Sequence, residues 1–260
     1  MDSDKQLIKR LQNGSIQAII FDFDGTLLDI REPLRNSIEE IYGEKKIVAD
    51  IDNTIQEIGA LMETIQSYPL PKIILQSHEM FKHITSLQSL TFMKKLEIAT
   101  KIFSRYLTYA KEAPLYPNTI NILKKLKKSF DLFIVSHNQT KNIIEQLEKH
   151  KITNLFKGVY GTDVLPALKP DPDSLNPVFK TYKSAKVNNY IMIGDMPSDI
   201  EAGNEAGVWT IAVTTGVSKK EILLNFEPNM IIDSLNQLID ITEKRTIEDP
   251  NSQESIKAKS

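Results

Sequence analysis

The sequence predicts an α/β fold in which a doubly wound, mostly parallel sheet carries an inserted all-helical domain. Four short apolar runs each end in polar or glycine residues, as do strands that are buried on both faces of a parallel sheet. Helical patterns separate the later runs, and this alternation is typical of doubly wound sheets. The long stretch after the first run shows helical periodicity only, which indicates an insertion into the sheet domain.

The apolar runs are the predicted strands of the sheet. They cover residues 18–21, 132–135, 190–193 and 209–213, and we expect a weaker strand at 158–160. The residues that follow the four strong runs are Asp22, Ser136, Gly194 and Thr214. Because open α/β sheets bind ligands at the carboxyl ends of their strands, we expect the functional site at these residues.

The insertion is predicted from apolar residues that recur at steps of three and four, in runs that begin at Ile51 and at Phe92. Pro69 and Pro71 separate these helices, and the crossings near Ile30 and Pro114 are candidate hinges. After residue 243 the chain is polar and apolar spacing is lost, which indicates a disordered tail. We therefore predict a sheet domain of residues 1–29 and 115–243, a helical domain of 30–114 and a tail of 244–260.

Composition limits the classes of function. With 260 residues, 41% of them apolar, the chain can bury a full core, and its net charge of −2 includes no basic stripe that would bind nucleic acid. The absence of cysteine excludes disulfides and thiolate chemistry, so a metal must bind oxygen or histidine. No apolar run approaches the roughly 20 residues that span a bilayer, and residues 1–14 resemble an amphipathic helix rather than a signal peptide. We therefore expect a cytoplasmic protein.

The most informative segment follows the first predicted strand. Asp22 and Asp24 lie two residues apart, so both carboxylates can point to the same face, and Gly25 then allows a sharp turn. Buried carboxylates repel each other unless a positive group lies between them, and Mg²⁺ favours one or two carboxylates with water and a phosphate oxygen. An Asp-Gly turn would explain Asp24 and Gly25 alone, but it does not explain Asp22.

Together with three further segments that follow along the chain in the same order as the family's motifs, these residues resemble the haloacid dehalogenase superfamily. Its first motif is similar to Asp22–Thr26, its second to Ser136, its third to Lys169 and its fourth to Gly194–Asp199. The resemblance covers about residues 16–216. It implies a Rossmann-like core with a helical cap, most similar in style to enzymes of the phosphoglycolate phosphatase type.

The resemblance also implies a role for each residue. Asp22 would be the nucleophile that forms an aspartyl-phosphate, and Asp24 the general acid and then the base. Mg²⁺ would bind Asp22, Asp195 and the backbone carbonyl of Asp24, and Asp199 would support the metal waters or hold Lys169. Lys169 and the hydroxyl of Ser136 would bind the phosphoryl oxygens. The implied function is Mg²⁺-dependent hydrolysis of a small phosphorylated metabolite, with phosphoglycolate as one candidate.

Two other functions remain open from the sequence. A phosphomutase of the same superfamily keeps both aspartates and differs in whether water reaches the intermediate, whereas a non-catalytic binding module on this fold would have lost a catalytic residue. A dehalogenase is disfavoured because it lacks a counterpart of Asp24. His137 either reaches the site or is a neighbour positioned by the backbone. Arg31, Arg35 and Lys72 are candidate substrate contacts in the insert, although a solvated surface explains each of them better.

Overall fold

A computed structural model describes residues 2–66, 81–182, 184 and 186–243. Several predictions fall outside this part of the chain: the helix break at Pro69 and Pro71, the candidate contact Lys72, and the tail of residues 244–260. They stay predictions. No helix among the described residues has the length and apolar character that crossing a membrane requires.

Six parallel strands form one sheet in the order β3-β2-β1-β4-β5-β6. The strands are β1 (Ala18–Phe21), β2 (Asp131–Val135), β3 (Phe156–Tyr160), β4 (Tyr190–Gly194), β5 (Trp209–Val213) and β6 (Met230–Ile232). The doubly wound α/β fold is confirmed, and each predicted strand is present. Strand β6 was not predicted, because three residues are too few to show a pattern.

The central position of β1 aligns the residues that follow the strands. Ala18 pairs with Asp131 on one side and with Tyr190 on the other. The register continues beyond the strand, where the amide of Asp22 donates to the carbonyl of Ile193 at 2.8 Å. The residues after β1, β2 and β4 therefore lie side by side at the carboxyl edge of the sheet, as expected for a doubly wound sheet.

Ten α-helices are described. They are α1 (Asp2–Gln12), α2 (Arg31–Lys45), α3 (Ile51–Gln66), α4 (Phe92–Ala110), α5 (Thr119–Leu126), α6 (Thr140–Lys149), α7 (Asn176–Phe179), α8 (Pro197–Glu205), α9 (Lys220–Leu224) and α10 (Asn236–Glu243). The predicted N-terminal amphipathic helix corresponds to α1. It buries Leu7 and Leu11 completely or nearly so and packs against α10.

Helices α2, α3 and α4 form the insertion between β1 and β2, and its described residues contain no strand. Helix α2 packs along α4, and α3 approaches the loop after β5 so closely that a Cβ on Gly59 would lie 2.9 Å from Val217. The two crossings run side by side, because the amide of Asp29 donates to the carbonyl of Pro114 at 2.8 Å. The boundaries of the two domains and the hinge role of the crossings stay predictions.

Candidate active site

Three carboxylates from different segments meet at the carboxyl edge of the sheet. Asp22 follows β1, Asp195 follows β4, and Asp199 lies in the first turn of α8. All three are buried, and one oxygen from each lies within 4.8 Å of the others. Oxygen ligands at this spacing suit a hard divalent cation. The structure thus brings together three of the predicted metal-site residues.

Lys169 lies against this carboxylate cluster. Its Nζ is 2.6 Å from Oδ1 of Asp22, is also hydrogen-bonded to Oδ1 of Asp199, and donates to the carbonyl of Val135 at 3.1 Å. The side chain is almost wholly buried. A buried ammonium group is tolerated only with such partners, so its position is fixed by the two carboxylates.

The charges of the cluster do not balance. Burial raises the pKa of Asp22 to about 7, against the opposing charge of Lys169. Burial also raises the pKa of Asp195 well above its ordinary value, and the charges of Asp22 and Asp199 add to this. Burial alone would lower the pKa of Lys169, but Asp199 and Asp22 outweigh it and raise the pKa. One lysine faces three carboxylates, so a divalent cation would offset the remaining negative charge.

The side chain of Asp24 is held apart from the carboxylate cluster. Its Oδ2 accepts a hydrogen bond of 3.0 Å from Nδ2 of Asn138. Burial raises the pKa of Asp24, and the hydrogen bond from Asn138 opposes this rise. The carboxyl group of Asp24 is therefore oriented by Asn138, and it is not one of the three carboxylates that lie close enough together to share a metal ion.

Asn138 is a site residue that the sequence analysis missed. Its Oδ1 accepts from the amide of Gln139 at 2.8 Å and from Nδ2 of Asn142 at 3.0 Å, so its Nδ2 must face Asp24. The amide of Asn138 also donates to Oγ of the buried Ser136 at 3.2 Å. Its position two residues after Ser136 was the available signal, but an asparagine in a loop is common and gave no distinct pattern.

The sequence left open whether His137 reaches the site or is only positioned beside it by the backbone, and the structure shows what its ring contacts. Its Nε2 lies 3.0 Å from the carbonyl of Lys169, so the ring contacts the backbone that carries Lys169. Burial, followed by the charge of Lys169, lowers the pKa of His137 to about 4, and the ring is neutral at physiological pH.

Two of the candidate substrate contacts in the insert, Arg31 and Arg35, form ion pairs with Asp52 at the surface.

Three glycines make room for the carboxylates. A Cβ on Gly216 or on Gly25 would collide with the carboxylate of Asp195, and one on Gly194 would collide with that of Asp199. Asp195 is further fixed by the hydroxyl of Thr26 at 3.2 Å and by the amide of Val217 at 3.3 Å. The backbone therefore encloses these two side chains and fixes where their oxygens point.

We expect Gly216→Ala to reduce metal affinity by at least about tenfold, because the new methyl group must displace the Asp195 carboxylate. The measurement is isothermal titration with Mg²⁺. Gly43→Ala is the matched control: a Cβ at this position in α2 meets nothing within 4 Å, and alanine is the better helix former by about 1 kcal/mol. Equal Mg²⁺ affinities in the two variants would contradict this account of Gly216.

The family model described as haloacid dehalogenase-like hydrolase matches residues 19–213. A phosphoglycolate phosphatase of Vibrio cholerae is 28% identical, over 87% of this chain and 97% of that protein. A Haemophilus somnus structure, described as a predicted phosphoglycolate phosphatase, is 22% identical with a TM-score of 0.64, over 87% and 98% of the two chains. The magnesium-bound structure of the HAD-hydrolase YfnB from Bacillus subtilis is 18% identical with a TM-score of 0.62, over 88% and 99%.

Proposed function

Because the chain belongs to the haloacid dehalogenase-like hydrolase family, we propose that it is a Mg²⁺-dependent phosphatase acting through an aspartyl-phosphate on Asp22. The observation that carries this proposal is the contact of Asp22 with Lys169 beside two further buried carboxylates. The substrate is a small phosphorylated metabolite. Phosphoglycolate is one candidate, supported by relatives of that name at about a quarter identity.

The first step transfers the phosphoryl group to Asp22. A carboxylate oxygen of Asp22 forms a bond to phosphorus while the bond from phosphorus to the leaving oxygen breaks. Asp24 gives its proton to that leaving oxygen. A raised pKa suits this role, because it keeps the carboxyl group of Asp24 protonated nearer to neutral pH.

The second step releases phosphate. Asp24, now a carboxylate, takes a proton from the water that attacks phosphorus, and the bond between Asp22 and phosphorus breaks. Asn138 keeps Asp24 oriented in both steps through its hydrogen bond. Lys169 and Ser136 would bind the phosphoryl oxygens, and the insert would restrict bulk water at the site.

The residues present fit a magnesium ion. Asp22 and Asp195 would supply carboxylate oxygens, Asp24 its carbonyl oxygen, and Asp199 would support the bound waters. When bound, the ion supplies positive charge to the phosphoryl oxygens and offsets the excess of carboxylates. Lys169 alone cannot both neutralise the phosphoryl oxygens and offset the three carboxylates, because it already pairs with two of those carboxylates.

The test is release of inorganic phosphate from a panel of small phosphate esters, with Mg²⁺ and with EDTA. We expect release that needs Mg²⁺, stops in EDTA and returns when the ion is restored. Release that persists in EDTA would contradict the metal role. Isomerisation of a phosphate ester without release would instead indicate a phosphomutase, and ester binding without any turnover would indicate a non-catalytic module.

A further inference from the structure

One hydrogen bond holds the backbone of Lys169, which stands in a loop. The carbonyl oxygen of Lys169 lies 3.0 Å from Nε2 of His137. Pro170 follows and has no amide hydrogen, and among the described residues no other hydrogen bond reaches the backbone of Lys169. The point from which the lysine side chain starts therefore depends on His137.

We propose that His137 is a positioning residue for phosphoryl transfer: by donating from Nε2 to the carbonyl of Lys169, it sets where the Lys169 ammonium group meets the phosphoryl group. The inference rests on the proposed phosphatase function and adds to it a residue for which the sequence left two roles open. His137 acts through Lys169 and contacts neither the substrate nor the metal ion.

The hydrogen bond determines which form of the His137 ring is present. A carbonyl oxygen can only accept, so Nε2 carries the hydrogen atom and Nδ1 carries none in the neutral ring. Burial, followed by the charge of Lys169, lowers the pKa of His137 to about 4, although the charge of Asp199 opposes this. At neutral pH the ring therefore donates in one tautomer and places no second positive charge beside the ammonium group of Lys169.

The residues on both sides of His137 are held by backbone hydrogen bonds. The amide of Ser136 donates to the carbonyl of Tyr160 at 3.0 Å, directly beyond the paired residues of β2 and β3. The carbonyl of Asn138 accepts from the amide of Thr162 at 2.9 Å. These bonds join the segment around His137 to the loop that follows β3, so the ring is attached to a fixed part of the sheet edge.

The other contacts of Lys169 change during the proposed reaction. Its Nζ is 2.6 Å from Oδ1 of Asp22, and an oxygen of that carboxylate becomes bonded to phosphorus in the first step. The ammonium group must then turn towards the phosphoryl oxygens, whereas the bond from His137 involves no reacting atom. An anchored backbone limits this movement, and a displacement of about 1 Å can lower a rate by about 10²-fold.

The test compares His137→Leu with His137→Gln in phosphate release from the panel of esters, with Mg²⁺ present. Leucine cannot donate a hydrogen bond, whereas the side-chain amide of glutamine can place a donor near the position of Nε2. We expect His137→Leu to lower kcat/KM by about 10- to 100-fold, and equally for every ester, because Lys169 would bind the phosphoryl group that all of them share. His137→Gln should recover most of this loss.

Two further measurements separate positioning from packing and from direct catalysis. The pH profile of kcat/KM between about pH 6 and 9 should be the same in His137→Gln as in the wild type, because the ring is neutral throughout this range. His150→Leu is the matched control and should have the kcat/KM of the wild type. His150 is also half-buried and burial also lowers its pKa, but its Nε2 has no hydrogen-bond partner among the described residues.

The outcomes separate this inference from the proposed function. A loss in His137→Leu that is uniform across the esters, absent in His150→Leu and largely reversed in His137→Gln would support the inference. Wild-type activity in His137→Leu would overturn it and leave the phosphatase function intact. Equal losses in the leucine and glutamine variants, or a changed pH profile in His137→Gln, would also overturn it, because the hydrogen bond to Lys169 would then not explain the role of His137. Absence of phosphate release by the wild type from every ester would remove the proposed function and this inference with it.

Discussion

Asp22→Asn is expected to lower kcat for phosphate release by about 10⁴-fold or more, the scale of loss when a catalytic nucleophile is removed. The amide has the shape of the carboxylate but cannot form the acyl-phosphate. The fold should persist, because Lys169 keeps its contact with Asp199. Burial disfavours the charge on Asp22, raising its pKa to about 7, so the neutral amide should leave the metal-free protein at least as stable at pH 7.5.

The measurement combines steady-state phosphate release with acid quenching of a reaction that contains a radiolabelled ester. Wild-type protein should retain covalent label and Asp22→Asn should not. Asp240→Asn is the control, since this aspartate is exposed on α10 and does not belong to the carboxylate cluster. Activity of Asp22→Asn within tenfold of wild type, or label retained on it, would show that another residue is the nucleophile.

Lys169→Met is expected to have the largest effect on stability, about 3–5 kcal/mol at pH 7.5, as when one partner of a buried ion pair is removed. The variant leaves Asp22 and Asp199 without their shared cation, in a site where both are buried. Activity should also be lost. Urea unfolding in EDTA measures the free energy of unfolding. Added Mg²⁺ should recover part of the stability that Lys169→Met loses, because the ion supplies positive charge.

The deficit of Lys169→Met should shrink as the pH falls from about 9 to 7. The charge of Lys169 opposes the rise in the pKa of Asp22, which is about 7 in the wild type, so removal of the lysine raises that pKa further. Below pH 7 Asp22 is protonated in the folded state of both proteins, so its contribution to the deficit is smallest there. Lys157→Met is the control: its ion pair of 2.7 Å with Asp131 is partly exposed and should contribute about 1 kcal/mol or less. A loss in Lys169→Met that is equally small, or independent of pH, would contradict the electrostatic account.

The fold class could be predicted because its signals are local. Strand β1 is a continuous apolar run, as a strand covered on both faces must be, and it is fully buried. Helix α4 was recognisable from its apolar spacing over five turns. Strand β6 was not predicted because three residues are too few to show an apolar period. It forms by pairing with β5 at the edge of the sheet, a contact that depends on the tertiary structure.

The aspartates and the lysine of the candidate site could also be predicted from their positions. Each follows a strand directly, stands in a loop, or, in the case of Asp199, lies in the first turn of the helix after β4. The same logic failed for Asn138, whose partner Asp24 lies 114 residues away. It failed for Gly216, where the need for glycine comes from the Asp195 carboxylate and not from the local turn. Neither residue differs from an ordinary loop residue until the strands are aligned.

The sequence by itself determined five of the six strands in their order along the chain, the helical character of the insertion, and the acidic and basic residues of the candidate site. Backbone sterics and the pattern of apolar residues act over a few positions, so they can be read along the chain. Tertiary structure alone decided that Lys169 bridges Asp22 and Asp199, that Asn138 orients Asp24, and that His137 contacts the backbone of Lys169. These contacts join segments far apart in sequence, and their distances follow from sheet register and helix packing, which no local pattern encodes.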